Sequence, residues 1–177
     1  MTLVIGGASS GKSAFAERYV AQAGLKKTYI ATAEALDDEM REKISRHRRD
    51  RAGHGWDTVE APRDLSGALR ALDPDDIALV DCVTFWLSNH MMDEADWSRE
   101  LAALCDTLPR LTAPVVLVTN EVGSGGVVAT SLGRQFQKAQ GLTNQRLAAT
   151  ADLVVQVTAG LPLVLKGADL AEDAPWV

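Results

Sequence analysis

The chain has 177 residues, 46% of them apolar, with a net charge of −6 and two cysteines. That length suits one domain with a real core, and the acidic balance excludes a nucleic-acid binder that works by bulk charge. No apolar run reaches the roughly 18 residues of a membrane span. Cys82 and Cys105 lack metal spacing and sit in apolar stretches, as free thiols do in a reducing cytoplasm.

In chain order, Thr2-Leu-Val-Ile5 reads as a β-strand, with no signal-like segment before it. Gly6-Gly7-Ala8-Ser9-Ser10-Gly11-Lys12-Ser13 follows at once, then a helical stretch from Ala14 to Val20. This is G-x-x-x-x-G-K-S between a strand and a helix, the setting of a phosphate-binding loop. Its glycines let successive N–H groups turn inward around phosphate oxygens, and the new helix adds the positive end of its dipole. Lys12 is placed to reach the β- and γ-phosphates, and Ser13 to offer its hydroxyl to Mg²⁺. The bland alternative is a glycine-rich turn with no ligand.

Lys27–Ala31 predicts a second strand, with Thr32-Ala33-Glu34-Ala35 as its exit. Asp37-Asp38-Glu39 predicts the first turn of a helix, with Met40, Ile44 and His47 on one stripe. Trp56–Glu60 predicts a short strand and Pro62–Leu72 a helix with proline near its start. Ile77–Asp81 is an apolar strand ending in a carboxylate, expected beside the first strand. Asp81 then either helps to hold Mg²⁺ or caps the next helix near Thr84. Phe85–Met92 and Asp96–Leu108 read as helices, Pro114–Thr119 as a buried strand and Asn120–Gly126 as a flexible turn. Ser131–Ala149 predicts a long helix. Asp152–Val157 and Leu161–Lys166 predict an antiparallel hairpin at a sheet edge, before a loose tail from Gly167. The expected fold is α/β, a mostly parallel sheet flanked by helices, as one domain over 1–177.

His47 lies among Arg46, Arg48, Arg49 and Arg51, with Asp50 the one acid of that run. A solvated basic helix is the better account of such a run in isolation. Here the helix leaves a strand exit expected to overlook the phosphate loop. Cationic neighbours disfavour a further charge on the imidazole, and a neutral ring nitrogen is a competent nucleophile at phosphorus. The arginines would hold phosphate oxygens while a phosphoramidate forms. His54 and His90 lack such surroundings and read as structural or exposed.

The chain resembles the bifunctional adenosylcobinamide kinase/adenosylcobinamide-phosphate guanylyltransferase family of cobalamin assembly. The likeness is carried by Val4–Ser13, Tyr29–Ala33, Leu36–Met40, Ile44 with His47 and Arg51, Trp56 with Glu60, and Asp81-Cys82. It continues through Val118–Gly123, Gly133-Arg134 with Phe136, and Gly141 with Asn144–Ala148. It implies a RecA-like fold. It also implies a kinase step on the aminopropanol hydroxyl of adenosylcobinamide, then transfer of GMP from GTP through a guanylylated histidine. Matched by position, His47 is that histidine and Gly6–Ser13 the loop. Ala31, Thr32, Ala33, Arg48, Arg49, Asp50, Arg51, Glu60 and Asp81 would line the nucleotide site. Ser13 and Asp81 would bind Mg²⁺, with GTP and ATP as substrates. The resemblance implies a homo-oligomer, with a trimer the expected form; the free cysteines point to the cytoplasm and the acidic net charge to no nucleic-acid partner. Departures are Val127-Val128-Ala129 where a proline is usual, Gln137-Lys138 in place of Arg-Asp, one extra residue between Arg51 and Trp56, and Asp81 where Glu is frequent. A plain small-molecule kinase and a nucleotide-gated binding module are the competing readings; neither forms a covalent nucleotide.

Overall fold

The computed structural model describes residues 1–34, 42, 53, 55–126 and 128–168. The helix expected from Asp37, its stripe of Met40, Ile44 and His47, the basic run Arg46–Arg51, His54 and most of the C-terminal tail lie outside them.

The described elements run β1 (Thr2–Gly6), α1 (Lys12–Ala21), β2 (Lys26–Ala31), β3 (Trp56–Glu60), α2 (Leu65–Arg70) and β4 (Asp76–Asp81). They continue with α3 (Val83–Met92), α4 (Trp97–Thr107), a 3₁₀ turn (Leu108–Arg110), β5 (Val115–Asn120), α5 (Ser131–Thr150), β6 (Leu153–Thr158) and β7 (Leu161–Lys166). They build one seven-stranded sheet in the order β3-β2-β4-β5-β1-β6-β7. β1 to β6 are parallel, and β7 returns antiparallel to β6 at the edge. The α/β sheet with its edge hairpin is as the sequence leads one to expect.

Strand alternation sorts the core into two layers. Leu3, Ile30, Val80, Leu117 and Val154 face α2, α3, α4 and α5. Val4, Tyr29, Leu79, Val118 and Val155 face Phe15, Ala16 and Val20 of α1. Right-handed crossovers dictate this split: the chain moves one way across the sheet after β1 and the opposite way from β3 onward, so the connecting helices fall on opposite faces. The connections from β1 and its neighbour β5 therefore diverge, which opens a crevice at the carboxyl ends of these two strands.

Two expectations are corrected. The strand ending in Asp81 does not run beside β1, because β5 lies between them. Val115 to Thr119 is buried residue by residue, and so continuous an apolar run takes the centre of the sheet. The helix expected over Pro62–Leu72 is only Leu65–Arg70. Asp64 caps it by accepting from the Gly67 N–H at 2.7 Å. The preceding carbonyls are already engaged, Pro62 O by Asn89 Nδ2 (3.0 Å) and Arg63 O by Trp86 Nε1 (2.9 Å).

Candidate active site

The Gly6–Ser13 loop leaves β1 at the crevice and curls into α1. Gly11 opens the helix at φ +91° without a side-chain cap, and Ser9 also has positive φ, at +56°. The turn is closed by Ser10 N–H to Gly7 O (3.3 Å) and Phe15 N–H to Gly11 O (2.9 Å). Lys12 folds back so that Nζ donates to Gly7 O at 3.1 Å, which places a buried cation across the loop. A Cβ on Gly6 would come within 2.5 Å of both Ser10 Oγ and Val157 O, so only glycine fits there. Space around Gly7 is open. Ser10 Oγ is buried without a hydrogen-bond partner. A helix N-terminus without a side-chain cap, a cation and an orphaned hydroxyl in one glycine cradle fit an anionic guest.

Register aligns the carboxyl ends of the neighbouring strands. Glu60, Ala31, Asp81 and Val118 form one row, with Asn120 opposite Gly6. By alternation, Glu60, Ala31, Asp81 and Asn120 all project on the face that carries α1. Asp81 Oδ2 accepts from the Tyr29 hydroxyl at 3.1 Å. It is not the cap of α3, whose N-cap is Cys82, with no side-chain cap bond, while Thr84 Oγ1 accepts from the Asn120 N–H at 2.9 Å. Of the two roles open to Asp81 in the sequence, the cap is excluded. At about 4.8 Å per strand, Asp81 lies about 10 Å along the sheet from β1 and Glu60 about 19 Å. Along this row Asp81 therefore lies nearer the loop than Glu60 does.

Thr32 is fully buried, and its hydroxyl donates to Cys82 O at 2.7 Å. Its carbonyl accepts from Asn89 Nδ2 at 2.9 Å. Thr32 therefore fixes the exit of β2 and has no hydroxyl proton left for a ligand. Ala31 and Ala33 are half-buried beside it. The Arg63 guanidinium binds both Glu34 and Asp93, and its bond to Asp93 holds that carboxyl below the usual range. His90 is buried against Trp86, with ring centroids 4.9 Å apart, and its Nε2 lies 3.3 Å from Arg63 O, a structural role. His47, Arg48, Arg49, Asp50 and Arg51 fall outside the described residues.

Residues 2–165 match the family described as cobinamide kinase / cobinamide phosphate guanyltransferase. The chain belongs to that family. It is 41% identical over 171 residues, 95% of this chain and 98% of the relative, to the bifunctional adenosylcobalamin biosynthesis protein CobP of Pseudomonas aeruginosa. It is 40% identical to the bifunctional adenosylcobalamin biosynthesis protein CobU of Salmonella typhimurium and 38% to that of Escherichia coli. Each of these alignments covers 94% of this chain and 99% of the relative. Kinase and guanylyltransferase activities, with nucleotide binding, are the activities of this family, and its phosphate-loop fold is the one seen here.

Within this family fold, one departure from the usual pattern has a structural account. Gln137 Nε2 donates to Val122 O (3.2 Å), Gly123 O (3.4 Å) and Gly126 O (2.8 Å), stapling the turn after β5 to α5. A second set of residues was given no role by sequence reasoning, although Thr119, Asn120 and Asn144 lie in the stretches that carry the resemblance; Gln140 was not named. Asn144 Oδ1 accepts from Thr119 Oγ1 (2.8 Å) and Gln140 Nε2 (2.9 Å), while its Nδ2 donates to Asn120 O (3.0 Å). The signal was there: Gln140 and Asn144 stand four residues apart, in step with the buried Ala139, Thr143 and Leu147 of α5. Polar residues on a buried stripe require partners.

Proposed function

We propose that this chain phosphorylates adenosylcobinamide with ATP or GTP and then converts the product to adenosylcobinamide-GDP through a guanylyl-histidine at His47. The observation that carries the reading is the placement of the Gly6–Ser13 cradle and Asp81 on one face of the crevice, in a chain of this family. In the first reaction the aminopropanol hydroxyl oxygen attacks the γ-phosphorus, the bond to the β-bridging oxygen breaks, and the hydroxyl proton leaves. Lys12 and the loop N–H groups hold the triphosphate in line and stabilise its oxygens. In the second, a ring nitrogen of His47 displaces pyrophosphate from the α-phosphorus of GTP. A phosphate oxygen of the corrinoid substrate then displaces the histidine. Arg48, Arg49 and Arg51 neutralise charge on the transferred group. Ala31, Ala33, Asp50 and Glu60 line the outer part of the nucleotide site, with Thr32 setting the position of the β2 exit.

Ser13 and Asp81 would hold Mg²⁺, which supplies charge neutralisation at the phosphates when bound. No group of three His, Cys, Asp or Glu side chains among the described residues could hold a metal alone. Mg²⁺ commonly takes one or two carboxylates and completes its shell with substrate phosphates and water. The working form is read as a cytoplasmic homotrimer of single-domain subunits spanning 1–177. No helix among the described residues is long and apolar enough to cross a membrane.

The test is labelled GTP with Mg²⁺. GMP should remain on the protein in an acid-labile, alkali-stable bond, and His47→Ala should abolish it. Label that persists in His47→Ala ends the assignment. Phosphate transfer to the corrinoid with no covalent nucleotide on the wild type leaves a plain kinase.

A further inference from the structure

The phosphate loop is held from behind by a part of the chain that follows it by some 150 residues. β6 and β7 join through Ala159-Gly160, both at positive φ (+52° and +80°), the signature of a two-residue type I′ hairpin. In such a turn the N–H of the second loop residue has no partner inside the hairpin. Here it donates to Ser10 O at 2.8 Å, in the middle of the phosphate loop. Two further contacts clamp the same pair of segments. A Cβ on Gly11 would lie 3.1 Å from the Gly160 Cα, and a Cβ on Gly6 would lie 2.5 Å from Val157 O. The hairpin thus approaches the loop at Gly6, at Ser10 and at Gly11.

A loop that must present several N–H groups to one anion has to be held open against local collapse. Its own closures include Ser10 N–H to Gly7 O, Phe15 N–H to Gly11 O and Lys12 Nζ to Gly7 O. None of these engages the Ser10 carbonyl, whose peptide plane sets the direction of the Gly11 N–H. The Gly160 bond does restrain it. We infer that the Ala159-Gly160 turn is a positioning element of the triphosphate site and that Gly160 is its positioning residue: it orients the Ser10–Gly11 peptide so that the loop receives phosphate without rearrangement. The inference rests on the reading that this loop holds the triphosphate.

Gly160 can be tested cleanly because a Cβ there would meet nothing within 4 Å. A side chain therefore fits, and only the φ of +80° opposes it. Asparagine tolerates that region, alanine less well, and a β-branched residue least. Affinity for a fluorescent, non-hydrolysable GTP analogue is measured at 15 °C, where circular dichroism verifies folding, alongside melting temperature without nucleotide. Gly160→Val is expected to weaken binding about 30-fold, Gly160→Ala about 5-fold, and Gly160→Asn less than 3-fold. Leu104→Ala, a cavity in α4 far from the loop, calibrates a purely structural loss: its melting temperature should fall while its affinity stays within 2-fold.

Wild-type affinity in Gly160→Val and Gly160→Ala overturns the inference. So does an equal loss in Leu104→Ala at an equal drop in melting temperature, or a failure of Gly160→Asn to restore binding. If Gly160→Val does not fold, the graded pair of Gly160→Ala and Gly160→Asn decides by the same comparison. Lys12→Ala separates the two readings. Wild-type binding that survives Lys12→Ala removes the loop from the nucleotide site altogether. Binding lost in Lys12→Ala but indifferent to Gly160 removes only the hairpin's role.

Discussion

The Tyr29 hydroxyl donates to Asp81 Oδ2 across 3.1 Å, joining β2 to β4 where both strands reach the crevice. The bond occupies one carboxylate oxygen and leaves Oδ1 for another partner. Tyr29 is itself buried, with its ring edge-on to Trp56 at 6.2 Å, so the hydroxyl has little freedom to move. Tyr29→Phe keeps the packing and removes the restraint. It should lower stability by about 1 kcal/mol and raise the Mg²⁺ concentration for half-maximal phosphoryl transfer by about 3- to 10-fold, while maximal rate at saturating Mg²⁺ changes little. A variant whose Mg²⁺ dependence matches wild type would show that Asp81 is not a metal ligand.

Lys12→Ala removes the cation that crosses the glycine cradle. Losing one such electrostatic contact lowers rates by about 10²- to 10³-fold. Both phosphoryl transfer and guanylylation should fall by that order if one site serves both. Assaying the two reactions separately is therefore informative. An intact guanylylation rate would mean that GTP for the second step sits elsewhere.

How much of this was legible in the sequence depends on the distance over which each signal acts. The loop, its flanking strand and helix and the edge hairpin are local patterns of a few residues, and each appears where spacing puts it. That Asp81 ends a buried strand was legible because such a run is also local. Its neighbour was misjudged, because strand order follows from which run is most continuously apolar across the whole chain. The helix at Pro62 was overextended for a related reason: distant Asn89 and Trp86 take the carbonyls that its first turn would need. The contact of Gly160 with Ser10 has no sequence signal, since both residues merely look like turn residues.

Asn144 illustrates what such long-range bonds are worth. Its side chain bonds Thr119 Oγ1, Gln140 Nε2 and the Asn120 carbonyl at once, in a layer where Gln140 and Thr119 are fully buried. Asn144→Leu is close in volume but takes the partner from the Thr119 hydroxyl proton and the Asn120 carbonyl, while Gln140 Nε2 keeps Thr119 Oγ1 at 3.0 Å. Leaving buried polar groups unmade costs about 1–3 kcal/mol each, so unfolding free energy should fall by about 3 kcal/mol. For a chain of this length that is a drop in melting temperature of about 6–12 °C. Proteolysis at the Glu121–Gly126 turn should rise in parallel, because Asn120 anchors its start. Unchanged stability would mean that water replaces the lost partners.

Cys82 gives the protein a stability limit in alkali. Burial, and secondly the charge of Asp81, push its thiol up from the ordinary 9.0 to about 11. Between these values the unfolded chain has released the proton while the folded chain still binds it. The unfolded state then carries fewer protons, so stability declines as pH rises, and below pH 9 the full stability is present. The difference corresponds to about 2–3 kcal/mol lost by pH 11. Cys82→Ala removes the titrating group, so its unfolding free energy should fall less steeply between pH 9 and 11 than that of wild type, measured by urea titration at each pH. The same burial should leave Cys82 unmodified by a thiol reagent at pH 8 in the folded protein and fully modified in urea. Parallel pH profiles for the two proteins, or rapid modification of folded Cys82, would show that the thiol is open to water.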